Sequence, residues 1–271
     1  MTEKELYKKV LIEIDKVKTA NLFLEEHNHY ANKAMNDWVK RNYPLYDKNQ
    51  QATDDLQVLK GIVTYDILTT TPTLTATMRR NLDTSTDVVV VGQRTSDGVT
   101  FQMPDDYYHL LKANIEFRAK QSFKCYSPTK NTIRTCHRLT DDKAIETNVY
   151  LRPDYNNNYI YIYNNNTIPV YPGSSTINRD RQPSFEIRSG YVEDMFDYKK
   201  IDIRYLKYPK MLNLTEVQLD AAGDTSNVIE FPDYICDQIL KILVAYVMER
   251  NSDQRTANTY QISQTDNIQQ Q

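Results

Sequence analysis

The segment 227–250, N-V-I-E-F-P-D-Y-I-C-D-Q-I-L-K-I-L-V-A-Y-V-M-E-R, constrains this chain more than any other. Residues 228–231 read as a short strand. Pro232 follows; its fixed φ and missing amide hydrogen suit a first helical position, where that hydrogen has no intrahelical partner. Asp233 puts negative charge in the first turn, and Glu249 with Arg250 marks the far end before Asn251. Between them Ile235, Cys236, Ile239, Leu240, Ile242, Leu243, Val244, Ala245, Val247 and Met248 cover most of the helix circumference. Only Asp237, Gln238 and Lys241 interrupt this surface, with Asp237 and Lys241 spaced for an i,i+4 ion pair.

A helix apolar on nearly every side has to be surrounded. It is not a membrane span, because the apolar part is too short and carries Lys241. Burying about ten such side chains contributes roughly 1.5–3 kcal/mol each. Ordering the segment costs roughly 1–2 kcal/mol per residue. The totals are comparable, so the helix is stable only with good packing partners. Two arrangements supply them: a central core helix, or a helix shared between the core and a neighbouring subunit.

The chain has 271 residues, 40% of them hydrophobic, which is enough for one large or two small domains. A net charge of −3 argues against wrapping nucleic acid by bulk charge. The three cysteines, Cys125, Cys136 and Cys236, are odd in number and lack a C-x-x-C spacing, which reads as buried, reduced thiols. The opening M-T-E-K-E-L-Y-K-K-V has charges running through its apolar positions, unlike a signal peptide. Only 6 glycines are present, and neither phosphate-binding glycine motif occurs.

In chain order, residues 3–26 read as one amphipathic helix with Leu6, Val10, Ile14 and Val17 on a face. A second helix is expected over 29–41, carrying Ala31, Ala34, Met35, Trp38 and Val39, with a short helical segment over 54–60. From Ile62 the period changes. Segments 62–68 and 87–93 read as strands, the latter in a hairpin with 99–103 about the turn at Ser96, Asp97 and Gly98. The stretch F-Q-M-P-D-D-Y-Y-H-L-L parallels I-E-F-P-D-Y-I, and both read as strand, proline, then helix. Segments 113–126 and 132–139 read as antiparallel strands, and 141–146 as a helical turn. Over 159–163, Tyr and Ile alternate, placing Tyr159, Tyr161 and Tyr163 on one sheet face. Further strands are expected over 184–189 and 200–208, then a polar connection over 211–225. Residues 251–271 hold many Gln, Asn and Thr and few apolar residues, so they cannot fold alone. They read either as a disordered tail or as an arm that orders on a partner.

No catalytic or metal constellation emerges. Glu25, Glu26, His27, His29 and Asp37 are the best metal cluster, but His at i,i+2 on a helix diverge. Asp105, Asp106 and His109 read more simply as first-turn charges than as acid–base groups. Cys136 and His137, adjacent on a strand, point to opposite faces. Gly173, Ser174 and Ser175 do not make a nucleophile elbow. Arg179, Arg181 and Arg188 form the densest basic group, suited to phosphate, to solvent or to a subunit ion pair. The Tyr face fits either packing and protein contact or the stacking of sugars or bases.

One resemblance rests on longer stretches: M-P-D-D-Y-Y-H, I-D-I-R-Y-L-K-Y-P-K, V-I-E-F-P-D-Y-I-C-D-Q-I-L, E-R-N-S-D-Q-R-T and the Gln/Asn-rich end. With them, residues 99–271 resemble structural virion proteins of crAss-like phages of gut Bacteroidota. The chain is more distantly similar to the tail-tubular or gatekeeper-type connector ring proteins of short-tailed phages. The resemblance implies a ring, commonly of twelve copies, docked under the portal protein and continuing its channel for double-stranded DNA. It implies a virion location after assembly in the host cytoplasm, with other tail or ring proteins as further partners.

The expected fold is therefore α+β: terminal helices packed together, an antiparallel β-rich, sandwich-like middle, and an extended C-terminal arm. The expected parts are 1–60, helical; 61–226, β-rich; 227–250, a helix packing on the helical part; and 251–271, the arm. Ile239, Leu243, Tyr246, Arg250, Arg255, Tyr260 and Ile262 are the expected subunit or portal interface, with Tyr159, Tyr161 and Tyr163 as a secondary face. No enzyme activity, cofactor, metal or membrane partner is expected. The alternative is an exposed virion module that contacts a glycan or receptor through the Tyr face.

Overall fold

Leu6, Tyr7, Val10 and Ile14 recur at helical spacing, and in a computed structural model of the chain they are the buried stripe of α1 (Glu3–Lys16). The structure describes residues 1–16, 22–69, 74–81, 83–94, 98–119, 131–138, 158–163, 183–188 and 196–250. The single helix expected over 3–26 is interrupted. Leu22 is buried, Phe23 is extended at φ −73° and ψ 151°, and α2 (Leu24–Asn42) begins after it. Three consecutive apolar residues cannot share one helical face, and here they mark the break. α2 buries His27, Ala31, Ala34, Met35, Trp38 and Val39. A 3-10 turn over Tyr43–Leu45 with Pro44 ends it. α3 (Gln50–Asp55) follows, its first turn capped by the Asn49 side chain, which accepts from the Gln51 amide at 2.9 Å. A second 3-10 turn spans Leu56–Leu59.

Among the described residues the chain then forms nine strands. They are β1 (Lys60–Thr69), β2 (Leu74–Arg80), β3 (Asp83–Arg94), β4 (Gly98–Gln102), β5 (Tyr107–Ala119), β6 (Asn131–Arg138), β7 (Asn158–Tyr163), β8 (Ser184–Arg188) and β9 (Phe196–Lys207). Their order is β1-β2-β3-β4-β8-β7-β6-β5-β9, and β9 pairs back onto β1 to close a barrel. Every pairing is antiparallel except β6 with β7. This corrects the expected sandwich-like middle. A sandwich keeps two separate sheets with four edges; here β9 is paired on one side with β1 and on the other with β5, which closes a single mixed sheet. Inside lie Val63, Tyr65, Phe101, Ile115, Phe117, Ile160, Phe185, Ile187, Ile201 and Ile203.

Two further expectations fail on local geometry. The segment after Pro104 is not a helix. Pro104, Asp105 and Asp106 form a turn, with the Tyr107 amide donating to the Pro104 carbonyl at 3.1 Å, and β5 follows. Tyr107, Leu110 and Ala113 are buried at a spacing of three, which imitates a helix. The cause is irregular register: β5 shifts against β9 between Tyr107 and His109 and again between Leu110 and Lys112, and each bulge changes which parity faces inward. The strand expected over 228–231 is only an isolated bridge between Val228 and Thr2.

After β9 the chain continues through α4 (Glu216–Asp220), capped reciprocally by Thr215 and Gln218, to α5 (Asp233–Arg250). The chain forms two compact units, Met1–Leu59 with Tyr208–Gln271, and Lys60–Lys207. The β-rich unit spans Lys60–Lys207, and the polar connection from Tyr208 onward belongs to the helical unit. Within that unit, two asparagines one helical turn apart hold the connection. Asn32 Nδ2 donates to the Leu212 carbonyl at 2.9 Å and its Oδ1 accepts from the Leu212 amide at 2.8 Å. Asn28 does the same for Leu214, at 2.9 and 3.2 Å. The i,i+4 rise on a helix is about 6 Å, close to the two-residue rise of an extended strand, so α2 serves as a ladder partner for the connection.

Candidate interaction surfaces

α5 packs on α2 and α1. Ile235, Cys236, Ile239, Leu243, Ala245, Val247 and Met248 are buried within the chain's own helical unit. Ile239 and Leu243 are fully enclosed there, so intrachain packing alone accounts for their apolarity. Tyr246 is buried too: its hydroxyl bonds the Asp37 carboxylate, its ring stacks on Tyr30 at 6.4 Å, and Lys33 Nζ lies 4.2 Å from its centroid. These three residues, expected at a subunit or portal interface, are internal contacts of one chain. Arg250 is the last residue of α5, and its side chain lies outside the described residues, as do Arg255, Tyr260 and Ile262.

The outward flank of α5 is polar. Asp237, Gln238 and Lys241 are exposed, and Tyr234 half-exposed. The expected Asp237–Lys241 pair is replaced by one between helices, Lys9 Nζ to Asp237 Oδ1 at 2.9 Å. Trp38 Nε1 donates to Gln238 Oε1 at 2.8 Å, and Tyr234 donates to Asp55 Oδ1 at 2.6 Å. The Asp55 carboxylate pushes the Tyr234 phenol up to about 12 by favouring its protonated form.

The Tyr face is not open. Tyr159 and Tyr161 lie on the side of β7 away from the barrel core, yet both are buried. Arg188 lies 4.9 Å above the Tyr161 ring and its Nε donates to Glu186 Oε1 at 3.1 Å. The side chain of Tyr163 lies outside the described residues. Thr100 and Glu186 are buried on the same face of β4 and β8, so this wall is covered on both sides. Arg188 therefore serves an internal ion pair and a ring contact; Arg179, Arg181 and the Gly173 loop lie outside the described residues.

The remaining polar candidates are also occupied. Asp105 accepts from Arg80 at 2.6 Å, and Asp106 takes the Tyr205 hydroxyl at 2.9 Å. Burial and Asp106 push the Tyr205 phenol well up, so it stays a donor. Gly61 faces Tyr205 across β1 and β9, and a Cβ there would sit 2.6 Å from the ring, so glycine is required for the ring to lie on the strand. This end of the barrel is locked by Arg80, Asp105, Asp106 and Tyr205. Cys136 faces the core, where burial pushes its thiol up to about 12, while His137 is exposed. His27 is enclosed against the Tyr7 ring at 4.9 Å, and His29 lies against Tyr30. Among the described residues no three His, Cys, Asp or Glu side chains come close enough to hold a metal ion.

Comparison with known protein families and curated proteins finds no match to the chain.

Among the described residues, the outer face of β1, β2, β3 and β9 carries ion pairs: Arg79 pairs with Asp87 at 3.0 Å and Asp66 at 3.7 Å, and Lys200 with Asp202 at 3.0 Å. The sequence reading missed β2, although Leu74, Ala76 and Met78 alternate with polar residues in the period of a strand. Missing it hid which edge of β3 is covered. No helix among the described residues is long and apolar enough to cross a membrane.

Proposed function

We propose that the chain is a non-enzymatic structural subunit of a phage head-to-tail connector ring, docked to the portal protein and continuing the DNA channel towards the tail. The reading starts from the resemblance over 99–271. The observation that carries it further is the division of the chain: helices from before and after the barrel close into one unit, and the barrel is a single insertion between Leu59 and Tyr208. A connector subunit of this kind has a helical layer for the portal and a β-rich layer for the tail. Each unit has its own core, so each layer keeps its form while its partners differ.

A mildly acidic surface suits a channel through which double-stranded DNA slides. Few fixed cations mean little phosphate retention and no sequence readout. The partners are copies of the chain, twelve by the resemblance, the portal protein, and neighbouring tail or ring proteins. With Ile239, Leu243 and Tyr246 internal, the portal contact falls to the polar flank of α5 and to residues 251–271. The glycan-binding alternative loses its surface, because Tyr159 and Tyr161 are buried. The test is assembly of the purified chain with its portal protein, followed by imaging. The reading predicts rings on the portal; a chain that binds no portal and maps outside the connector of intact virions refutes it.

A further inference from the structure

The three most exposed large apolar side chains among the described residues lie in one short stretch of the helical unit. They are Met211, Val217 and Val228, at 77%, 82% and 72%. Single exposed apolar residues are ordinary on a protein surface, but these three are gathered. Two consecutive residues of α1 hold the backbone within two positions of each. Glu3, itself buried, accepts from the Asn213 amide at 3.2 Å and from Asn227 Nδ2 at 3.4 Å, and its own amide donates to the Asn227 carbonyl at 3.0 Å. Lys4, also buried, donates from Nζ to the Gln218 carbonyl at 3.3 Å and to the Ala221 carbonyl at 2.8 Å. Its amide donates to Ser226 Oγ at 3.1 Å.

The same stretch turns its other side chains inward. Leu212, Leu214, Ile229 and Phe231 are buried, the first two clamped to α2 through Asn32 and Asn28, and Phe231 set against the Trp38 ring at 5.4 Å. Met211, Val217 and Val228 therefore leave the backbone on the solvent side of one layer. Two buried charges fix this layer, so its apolar groups are ordered before any partner arrives, which lowers the cost of binding. The surroundings have one sign. Residues 211–230 contain Glu216, Asp220, Asp224 and Glu230 and no Lys or Arg, with Lys210 at one edge. The Lys4 ammonium beneath is enclosed against its two carbonyls. An apolar face among acids repels nucleic acid and anionic lipid, and it complements a protein surface whose apolar side chains stand among Lys or Arg.

We propose that Met211, Val217 and Val228, with Glu216 and Asp220 beside them, form a preformed docking face for a basic, apolar surface of the portal protein. This rests on the reading of the chain as a connector subunit whose helical unit meets the portal, and it names the side chains that make that contact. Asp233 opens α5 directly after this stretch, so the face continues in sequence into the polar flank of α5.

The test measures binding of the purified full chain to its portal protein, with the melting temperature recorded for each variant. Met211→Gln, Val217→Thr and Val228→Thr together are expected to weaken binding at least about tenfold with an unchanged melting temperature. Glu216→Gln with Asp220→Asn is expected to weaken binding at low salt and to flatten its salt dependence. Native affinity in the triple variant overturns this face and leaves the connector reading standing. A lowered melting temperature in the triple variant overturns the outward placement of the three side chains. Tighter binding after the two acids are neutralised overturns the basic partner. A native chain that binds no portal at any concentration overturns both this face and the connector reading.

Discussion

At the scale of single residues, His27 and Leu243 probe the helical unit from two sides. His27 is fully buried on α2, and burial holds its imidazole well below its ordinary value, at about 4. The sign follows from linkage. Above pH 6.5 both folded and unfolded states are neutral and His27 adds no slope. As pH falls through 6.5 the unfolded chain takes up a proton that the folded chain refuses, so stability is lost down to about pH 4 and levels off below it. The loss amounts to about 3 kcal/mol. Urea melts of the native chain and of His27→Leu across that window test it: the variant is expected to lack this part of the slope, and equal slopes contradict it. Leu243 has no solvent exposure. Leu243→Asp is expected to destabilise the unit by roughly 4 kcal/mol, because it removes a packed side chain and buries an unpaired carboxylate. An unchanged melting temperature contradicts the enclosure of α5.

At the scale of elements, α2 has two working faces. One packs apolar side chains on α5; the other offers Asn28 and Asn32 to the backbone at Leu214 and Leu212. Asn32→Ala leaves the Leu212 amide and carbonyl without those partners. It is expected to cost roughly 1–3 kcal/mol and to speed hydrogen exchange at Leu212 while leaving the barrel amides unchanged. Exchange at Leu212 equal to that of the native chain refutes the clamp. These elements also show what is legible in the sequence. The stripe Leu6, Val10, Ile14 and the alternation of Tyr159 to Tyr163 reveal helix and strand, because one local period governs each. The run Tyr107, Leu110, Ala113 misleads, because β-bulges that depend on β9 set its spacing, and β9 is about ninety residues away in sequence.

At the scale of the whole molecule, closure of the sheet is not legible. It depends on β9 pairing with β1 and β5 together, a non-local choice with no local residue pattern. The enclosure of α5 is ambiguous in the sequence for a related reason. An apolar surface around a helix reports that it is enclosed, not by which chain, and α1 and α2 enclose Ile239, Leu243 and Tyr246. Truncation at residue 250 tests the arm at this scale. Loss of 251–271 is expected to leave the melting temperature of both units unchanged and to weaken portal binding at least about tenfold, since an arm that orders on a partner contributes only when bound. Equal portal binding removes the arm from the account. The central claim, a subunit built to assemble with copies of itself, meets its most direct test in single-particle imaging of the purified full chain with its portal protein. The account predicts closed rings of the chain seated on the portal, one copy in contact with the next; a uniform population of lone monomers beside a bare portal contradicts it.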